Sequence, residues 1–281
     1  MLEILERGVV PWKNPIRRRA NGDGWPKNLS SGKRYRGINI FLLAFMAWQA
    51  GYSSDYWLTF RQAKELGGSV RKGEKSSLVT FWKLYEKTDE STGEELKLPC
   101  LKHYNVFNAE QCEEIKIPDV AEIEPLEFTP IEAAEMIIDG YRDPPLIKHE
   151  GSRAIYQPST DTITIAICEQ FRDVESYYAT LFHEAAHSTG HEKRLARQMD
   201  EPQPFGSPDY SREELVAEMA AGMLCGQAGI TDATIEQTAS YIDHWKKALK
   251  GDKRLVVKAA SAGQKAADWI MGTTWPDSLP D

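Results

Sequence analysis

The sequence predicts an α+β protein of two domains, and three observations lead to that fold class. The chain has 281 residues, of which 41% are hydrophobic, and single domains usually hold about 100–200 residues. Segments with helical and strand periodicity occur in both halves. An acidic, proline-punctuated stretch between them, within residues 113–135, is typical of a linker. We therefore predict a first domain at residues 1–117, a linker at 118–129 and a second domain at 130–281.

The first domain is predicted to combine helices with a β-hairpin. The apolar segment Ile38–Ala50 predicts one helix, and Tyr56-Trp57-Leu58-Thr59 is expected to lead into another at Phe60–Leu66. Leu78–Trp82 and Leu101–Phe107 are rich in β-branched and aromatic residues and predict two strands. The charged segment between these strands is expected to form the turn.

The second domain is predicted to contain a hairpin followed by helices. Thr129-Pro130-Ile131-Glu132 has the pattern of a capping box, so a helix is expected to begin near Pro130. Ala154–Gln157 and Thr162–Ile165 flank a turn-like tetrapeptide and predict the hairpin. A long helix is expected after Asp173, its predicted N-cap. Further helices are predicted near residues 212–226, 235–249 and 258–270.

The motif that carries chemistry is His183-Glu184-Ala185-Ala186-His187, a complete HExxH sequence inside the predicted long helix. Residues four apart share one helix face, so both imidazoles can bind one metal ion. The intervening glutamate then lies beside the metal, where it can act as a general base towards water. We predict His183 and His187 as ligands and Glu184 as the catalytic residue of a metallopeptidase. Zn²⁺ is the expected ion, with Mn²⁺ or Co²⁺ as alternatives.

A catalytic zinc site requires a third protein ligand and an open position for water. His191 would lie about 12 Å from His183 along a straight helix, which is too far for a shared metal. The pattern HExxHxxGxxH also fails, because Gly190 matches its glycine but Lys193 stands where its third histidine should be. A carboxylate from a later helix is the remaining source, and we choose Glu214.

Glu214 belongs to a helical stripe whose other members, apart from one further carboxylate, are small: Glu214, Ala217, Glu218, Ala221 and Cys225. Small residues allow helices to approach closely, and a metal would neutralise a carboxylate placed there. We assign Glu214 as the ligand and Glu218 as an outer carboxylate that orients a ligand histidine. An exchange of these two roles stays open. Glu213 is expected to face elsewhere, into solvent.

The first 88 residues are basic and aromatic. They hold 16 Lys and Arg against 7 Asp and Glu, and five of the eight tryptophans, whereas the whole chain has a net charge of −8. Positive charge with aromatic rings suits single-stranded nucleic acid, because bases stack on the rings. The predicted contacts are Trp12, Arg17, Arg18, Trp25, Lys33, Arg34, Tyr35, Arg36, Arg71, Lys72 and Lys75. Stacking is assigned to Trp12, Trp25 and Tyr35, whereas Trp48 is assigned to the core.

The cysteines and the apolar segments indicate where in the cell the protein is expected. The four cysteines form no CxxC pair, which favours buried free thiols over a zinc ribbon or a disulfide framework. The apolar runs are far shorter than the roughly 20 residues of a membrane helix, and the N-terminus lacks a signal-peptide pattern. We therefore expect a cytoplasmic protein without membrane contact.

Several stretches resemble the ArdC-type antirestriction proteins of conjugative plasmids, a family also found fused to plasmid primases. In the first domain they are Gly8–Trp12, Tyr35–Asn39, Val70–Lys75 and Tyr104–Asn108, and in the second Tyr156–Thr164, Tyr177–Arg194 and Glu213–Glu218. Two departures are Pro15-Ile16-Arg17, where an aromatic residue is usual after the proline, and Ala166-Ile167, where a proline is usual. The resemblance implies an N-terminal domain that binds single-stranded DNA and a C-terminal zincin-like metallopeptidase domain.

Three functional hypotheses follow from the motifs and the resemblance. The first is an antirestriction metallopeptidase that protects incoming plasmid DNA during conjugation, with an unidentified protein substrate such as a restriction enzyme. The second is a non-enzymatic protein that coats single-stranded DNA. The third is a protease that clears DNA-bound proteins. The intact Glu184 favours an enzyme, because a structural zinc site has no use for a residue that activates water.

Overall fold

The computed structural model describes residues 5–6, 10, 24–88, 95–118, 129–197, 208–230, 249–252 and 254–273. The chain divides into two compact units. The N-terminal unit comprises Arg19–Ala121, and the C-terminal unit comprises Met1–Arg18 together with Glu122–Asp281. The protein is therefore a mixed helix and sheet structure of two units, as predicted.

The N-terminal unit contains two helices and six strands among its described residues. In chain order they are β1 (Lys27–Asn28), α1 (Ile38–Ala50), β2 (Tyr56–Leu58), α2 (Phe60–Glu65), β3 (Ser69–Val70), β4 (Ser77–Thr88), β5 (Glu95–Asn108) and β6 (Cys112–Glu113). One sheet has the strand order β1-β2-β5-β4, and β3 pairs with β6 in a second, two-stranded sheet. The predicted hairpin is confirmed as β4 and β5, in which all of β4 pairs antiparallel with Glu95–Val106 of β5.

The core of the N-terminal unit lies between α1 and the larger sheet. Leu43 and Ala47 of the helix pack with Trp57, Val79 and Val106 of the sheet. The helix predicted at Phe60–Leu66 is confirmed as α2, and the segment that leads into it, Tyr56–Leu58, forms a short strand. Trp57 and Leu58 of this strand are both fully buried.

A buried asparagine fastens α1 to the edge of the larger sheet. The Asn39 side chain donates to the carbonyl of Thr80 at 2.8 Å and accepts from its N–H at 2.8 Å. β4 is the last strand of this sheet, so these two backbone groups point away from β5. Asn39 thus takes the place of a neighbouring strand at this one residue.

The described part of the C-terminal unit includes a three-stranded sheet and four long helices, besides two short 3-10 helices at Pro158–Thr160 and Cys168–Gln170. The strands and long helices are α3 (Pro130–Asp139), β7 (Leu146–His149), β8 (Ile155–Gln157), β9 (Thr162–Ile165), α4 (Val174–Ser188), α5 (Pro208–Ala228) and α6 (Leu255–Ile270). The strand order is β7-β9-β8, in which β7 runs parallel and β8 antiparallel to β9. The predicted hairpin is confirmed, and the short β8 forms one edge of the sheet.

The helix boundaries agree with the local sequence signals. Thr129 and Glu132 form the predicted capping box of α3, and the Asp173 side chain accepts from the Ser176 N–H at the start of α4. α5 and α6 approach closely at Gly263, where a Cβ atom would lie 3.0 Å from the Val216 carbonyl oxygen. The helix predicted near residues 235–249 lies largely outside the described residues.

The predictions about membrane helices and about the cysteines can be compared with this fold. None of the described helices combines the length and the hydropathy needed to cross a membrane. The four cysteines form no disulfide bonds. Only Cys225 is buried, whereas Cys100, Cys112 and Cys168 are partly exposed, so the prediction of burial holds for one of the four.

Candidate metal centre

The HExxH motif lies in the second half of α4, a helix whose start is fixed by Asp173 and whose regular turns end at Ser188. The i, i+4 spacing brings the two histidines onto one face, with Nε2 of His183 and Nε2 of His187 3.1 Å apart. Their rings are nearly perpendicular, at 82°. Two ring nitrogens converge on one point, as the sequence predicted.

Glu214 completes this convergence from α5. Its Oε2 lies 3.7 Å from His183 Nε2, and its Oε1 lies 3.4 Å from His187 Nε2. Of the described residues, these three form the one group of His, Cys, Asp or Glu side chains whose ligand atoms lie within 4.8 Å of one another. The choice of Glu214 over His191 therefore agrees with the geometry.

The donor set fits a tetrahedral metal ion with one open position. Ligands about 2.0–2.1 Å from zinc at tetrahedral angles lie about 3.3 Å from each other, and the observed separations of 3.1, 3.7 and 3.4 Å bracket that value. Two imidazoles and one carboxylate are ligand types that Zn²⁺, Mn²⁺ and Co²⁺ all accept. His183, His187 and Glu214 are therefore the residues that could hold the ion.

Glu213 is the residue that the sequence analysis placed wrongly. It was expected to be solvated, but its Oε1 lies 3.6 Å from His187 Nδ1 and 2.7 Å from an Arg197 guanidinium nitrogen. Its side chain is only 20% exposed. Burial acts to raise the pKa of Glu213, but the facing His187 and Arg197 outweigh it and lower that pKa. The carboxylate is therefore a largely buried neighbour of a candidate ligand histidine.

The protonation of His187 reflects the two carboxylates around it. Burial alone would lower its pKa, but the adjacent Glu213 and Glu214 raise the pKa well above the ordinary value for histidine. Such surroundings favour positive charge at this position. Glu218 lies four residues after Glu214 on α5, and its predicted role as an outer carboxylate stays a prediction.

The predicted catalytic residue is held by the edge strand of the sheet. Oε2 of Glu184 accepts a 2.7 Å hydrogen bond from the backbone N–H of Tyr156 in β8. The Tyr156–Ile163 pair of the hairpin leaves this N–H directed away from β9. Glu184 is buried with 8% exposure, so its carboxylate has a defined position beside the two histidines.

An ion pair between the buried Arg194 and the partly exposed Asp161 in turn fixes the strand that holds Glu184. The Tyr156 hydroxyl donates to Asp161 Oδ1 at 2.9 Å. Both terminal nitrogens of Arg194 donate to that same oxygen, at 2.9 and 2.6 Å. Burial and the Asp161 carboxylate raise the pKa of Tyr156, so its hydroxyl stays a donor. The hairpin turn is thereby tied to the segment after the HExxH helix.

The aromatic residues predicted to contact nucleic acid differ from the prediction in their burial. Trp25 and Tyr35 are each 6% exposed, so their rings are not available to bases, which corrects that part of the prediction. Tyr35 packs in the core, and Trp25 lies under the guanidinium of Arg34, 5.1 Å away. Trp48, assigned to the core, is instead 56% exposed.

The basic residues among these contacts differ in their surroundings. Lys33, Arg34, Lys72 and Lys75 are exposed and Arg36 is partly exposed. Arg71 pairs with Glu74 at 2.9 Å, and Gln111 donates to both Glu74 and the Lys75 carbonyl. The Arg71–Lys75 loop is therefore folded onto the 3-10 turn Ala109–Gln111 that follows β5, and its lysines are exposed to solvent. Trp12, Arg17 and Arg18 lie outside the described residues.

Two family models match the chain, one in each half. The N-terminal domain of anti-restriction factor ArdC matches residues 1–107. Zincin-like metallopeptidase matches residues 132–262, which include all three candidate ligands and Glu184.

Similar proteins extend over nearly the whole chain. The DNA primase TraC of Escherichia coli is 36% identical over 96% of this chain and 26% of its own length, so this chain spans about a quarter of that relative. The uncharacterised protein y4eC of Sinorhizobium fredii is 34% identical over 96% of this chain and 88% of its own.

Two solved structures share the fold at high sequence identity. The metal-free structure of antirestriction ArdC protein from the R388 plasmid is 40% identical, with a TM-score of 0.76 over 96% of this chain and 93% of that one. Its Mn(II)-bound structure is 37% identical, with a TM-score of 0.77 over 96% and 94%.

Proposed function

The chain belongs to the ArdC antirestriction family, and from that premise we propose that it is a zinc metallopeptidase that binds single-stranded DNA and protects incoming plasmid DNA from host restriction. The observation that carries the enzymatic part is the convergence of His183, His187 and Glu214 beside a fixed Glu184. The DNA-binding part is supported by the ArdC match at residues 1–107 and by the exposed basic side chains of the N-terminal unit.

The geometry suits peptide hydrolysis. A bound Zn²⁺ would polarise a water molecule and the substrate carbonyl. Glu184 holds one carboxylate oxygen on the Tyr156 N–H, which leaves Oε1 to accept the proton of the attacking water and to pass it to the leaving amine. An extended peptide could lie along the edge strand β8 next to this carboxylate and donate to the outward-facing Tyr156 carbonyl, since the Tyr156 N–H is held by Glu184.

The proposed DNA-binding unit would concentrate the peptidase near proteins that occupy single-stranded DNA. A tethered site acts at an effective concentration set by the tether rather than by its own affinity for the peptide. The substrate class is accordingly a DNA-bound protein, with restriction enzymes as the first candidates. Mn²⁺ and Co²⁺ are alternative ions for the same ligands, and Mn(II) is bound in the R388 plasmid relative.

A plasmid-transfer assay against a restricting host tests the enzymatic proposal with Glu184→Gln. This variant keeps an acceptor for the Tyr156 N–H but removes the base, so we expect it to retain metal and to lose protection. Metal content and Glu184-dependent cleavage of a proteome-derived peptide library, read by mass spectrometry, are measured in parallel. Full protection by Glu184→Gln would overturn the enzymatic proposal and favour protection by coating the DNA.

The DNA-binding proposal is tested with Lys72→Gln/Lys75→Gln, which removes two exposed charges from the N-terminal unit. We expect weaker binding to a fluorescent oligo-dT strand and a smaller salt dependence, because a protein that makes fewer phosphate contacts releases fewer counterions on binding. Lys148→Gln/Lys265→Gln removes the same charge from exposed positions of the C-terminal unit and serves as the matched control. Equal binding by both variants would contradict this assignment of contacts.

A further inference from the structure

We propose that Glu213, held in place by Arg197, is the positioning carboxylate that fixes the His187 ring as a metal ligand. The inference rests on the proposed metal site and assigns a residue outside its ligand set. It concerns the outer nitrogen of His187, on the side of the ring opposite the metal-facing Nε2.

The outer nitrogen of His187 requires an acceptor that the ligand set does not provide. A histidine that binds metal through Nε2 carries its proton on Nδ1, and that N–H is almost always donated to a carboxylate, a carbonyl or water. His187 Nδ1 is buried and has no hydrogen-bond partner among the described residues. Glu213 Oε1 faces it at 3.6 Å, a few tenths of an ångström beyond a normal N–H···O bond.

Arg197 determines where the Glu213 carboxylate lies. Its Nε and one terminal nitrogen donate to the two oxygens of Glu213, at 3.2 and 2.7 Å. The same guanidinium donates to the Ala186 carbonyl at 2.8 Å and to the Thr189 hydroxyl at 2.6 Å. Arg197 thus binds the end of α4 at residues on both sides of His187, and it holds Glu213 of α5 next to that histidine.

The helical geometry of α5 explains why the adjacent Glu213 and Glu214 contact different nitrogens of the histidines. Consecutive helical residues are rotated by about 100°, because a turn holds 3.6 residues. Glu214 faces the point between the two Nε2 atoms, whereas Glu213 faces the outer edge of one ring. The Arg197 guanidinium contacts both oxygens of Glu213 and holds the carboxylate at that edge. A fixed anion at Nδ1 orients the ring and increases the basicity of Nε2.

Metal affinity of the full-length protein tests the proposal without any peptide substrate. Zn²⁺ binding is measured by competition with a chromophoric chelator for wild type, Glu213→Gln, Arg197→Lys and Glu218→Gln. Loss of an outer carboxylate typically weakens metal binding about 10–100-fold, so we expect at least about tenfold for Glu213→Gln. Arg197→Lys keeps the charge but loses the two-pronged contact, and a smaller loss is expected.

A spectroscopic measurement separates positioning from general destabilisation. In the Zn²⁺-loaded wild type, the His187 Nδ1–H donated to Glu213 should give a slowly exchanging proton resonance downfield of the backbone amides. That resonance should disappear or move upfield in Glu213→Gln and persist in Glu218→Gln. Circular dichroism spectra establish that each variant is folded.

The outcomes distinguish this inference from the proposed function. If the wild type fails to bind Zn²⁺, Mn²⁺ or Co²⁺, both are overturned. If the wild type binds metal and Glu213→Gln binds it equally well with an unchanged resonance, only the role of Glu213 is overturned. If Glu218→Gln alone weakens binding, the outer carboxylate is Glu218 and the present assignment is wrong.

Discussion

Replacement of Asp161 by Asn is the sharpest test of how the Glu184-bearing edge of the site is held. Asp161 lies in the left-handed region, with φ 48°, which asparagine adopts more readily than most residues. The substitution therefore removes a charge without changing the size or backbone preference of the residue. What it leaves behind is Arg194, whose side chain is 1% exposed.

The expected loss follows from the partners of Asp161. Removal of one partner from a buried ion pair costs about 3–5 kcal/mol, because the other charge stays buried without compensation. The asparagine oxygen still accepts from Arg194 and Tyr156, and a neutral hydrogen bond contributes about 1 kcal/mol. We therefore expect Asp161→Asn to lower the free energy of unfolding of the C-terminal unit by about 2–4 kcal/mol.

Denaturant unfolding followed by circular dichroism measures this loss, with Asp139→Asn as the control because Asp139 is exposed at the end of α3. The control should change stability by no more than about 0.5 kcal/mol. The double variant Asp161→Asn/Arg194→Met should lose less than the sum of its single variants, since it contains no stranded cation. A loss below about 1 kcal/mol for Asp161→Asn, or strict additivity, would refute the reasoning.

Three further substitutions have defined expectations. Hydrogen bonds from Ser176 and Arg172 lower the pKa of Asp173 from 3.8 to about 2. The ionised Asp173 therefore stabilises the folded protein fully above about pH 4, and this stabilisation is lost as the pH falls to 2. The Tm advantage of wild type over Asp173→Asn should vanish across that window. Asn39→Ala should destabilise the N-terminal unit by about 1–3 kcal/mol, because two backbone groups of Thr80 lose their partner. Gly263→Ala should cost about 1–3 kcal/mol, since its Cβ would lie 3.0–3.2 Å from atoms of α5.

The substitutions of Asn39 and Gly263 each have a control of the same chemistry. Asn105→Ala removes an exposed amide from β5, and Gly251→Ala adds a methyl group where nothing lies within 4 Å. Both should stay within about 0.5 kcal/mol of wild type. For Asp173, a wild-type advantage that persists unchanged at pH 2 would contradict the assigned pKa. Changes as large in the controls as in the tests would contradict the contacts assigned to Asn39 and Gly263.

The elements that follow from local sequence were predictable. The i, i+4 spacing places His183 and His187 on one face whatever surrounds the helix, and the caps Thr129 and Asp173 act within four residues. Glu214 could be chosen because a carboxylate on a stripe of small residues requires a compensating charge. The parallel pairing of β7 with β9 was not predicted, because it depends on a partner distant in sequence that no short pattern encodes.

The wrong predictions concern side-chain burial, which was inferred from the composition of a segment and not from the position of each residue. Trp25 and Tyr35 lie in a basic segment, but their rings are buried, whereas Trp48 projects from an apolar helix into solvent. Glu213 was misplaced because its compensating charge, Arg197, comes from the irregular segment after α4. Arg197, a basic residue after the HExxH helix, was the available signal for a buried partner of Glu213. Its distance from the motif in sequence follows no fixed pattern that would identify it.

The contact between Asn39 and Thr80 has a consequence for self-association. An edge strand with unpaired backbone groups is a template on which another chain can add a strand. At Thr80 both groups are already occupied by the Asn39 amide, so an incoming strand aligned with β4 would meet a side chain where it needs a donor and an acceptor. One buried amide thereby interrupts the register along which two molecules could join their sheets.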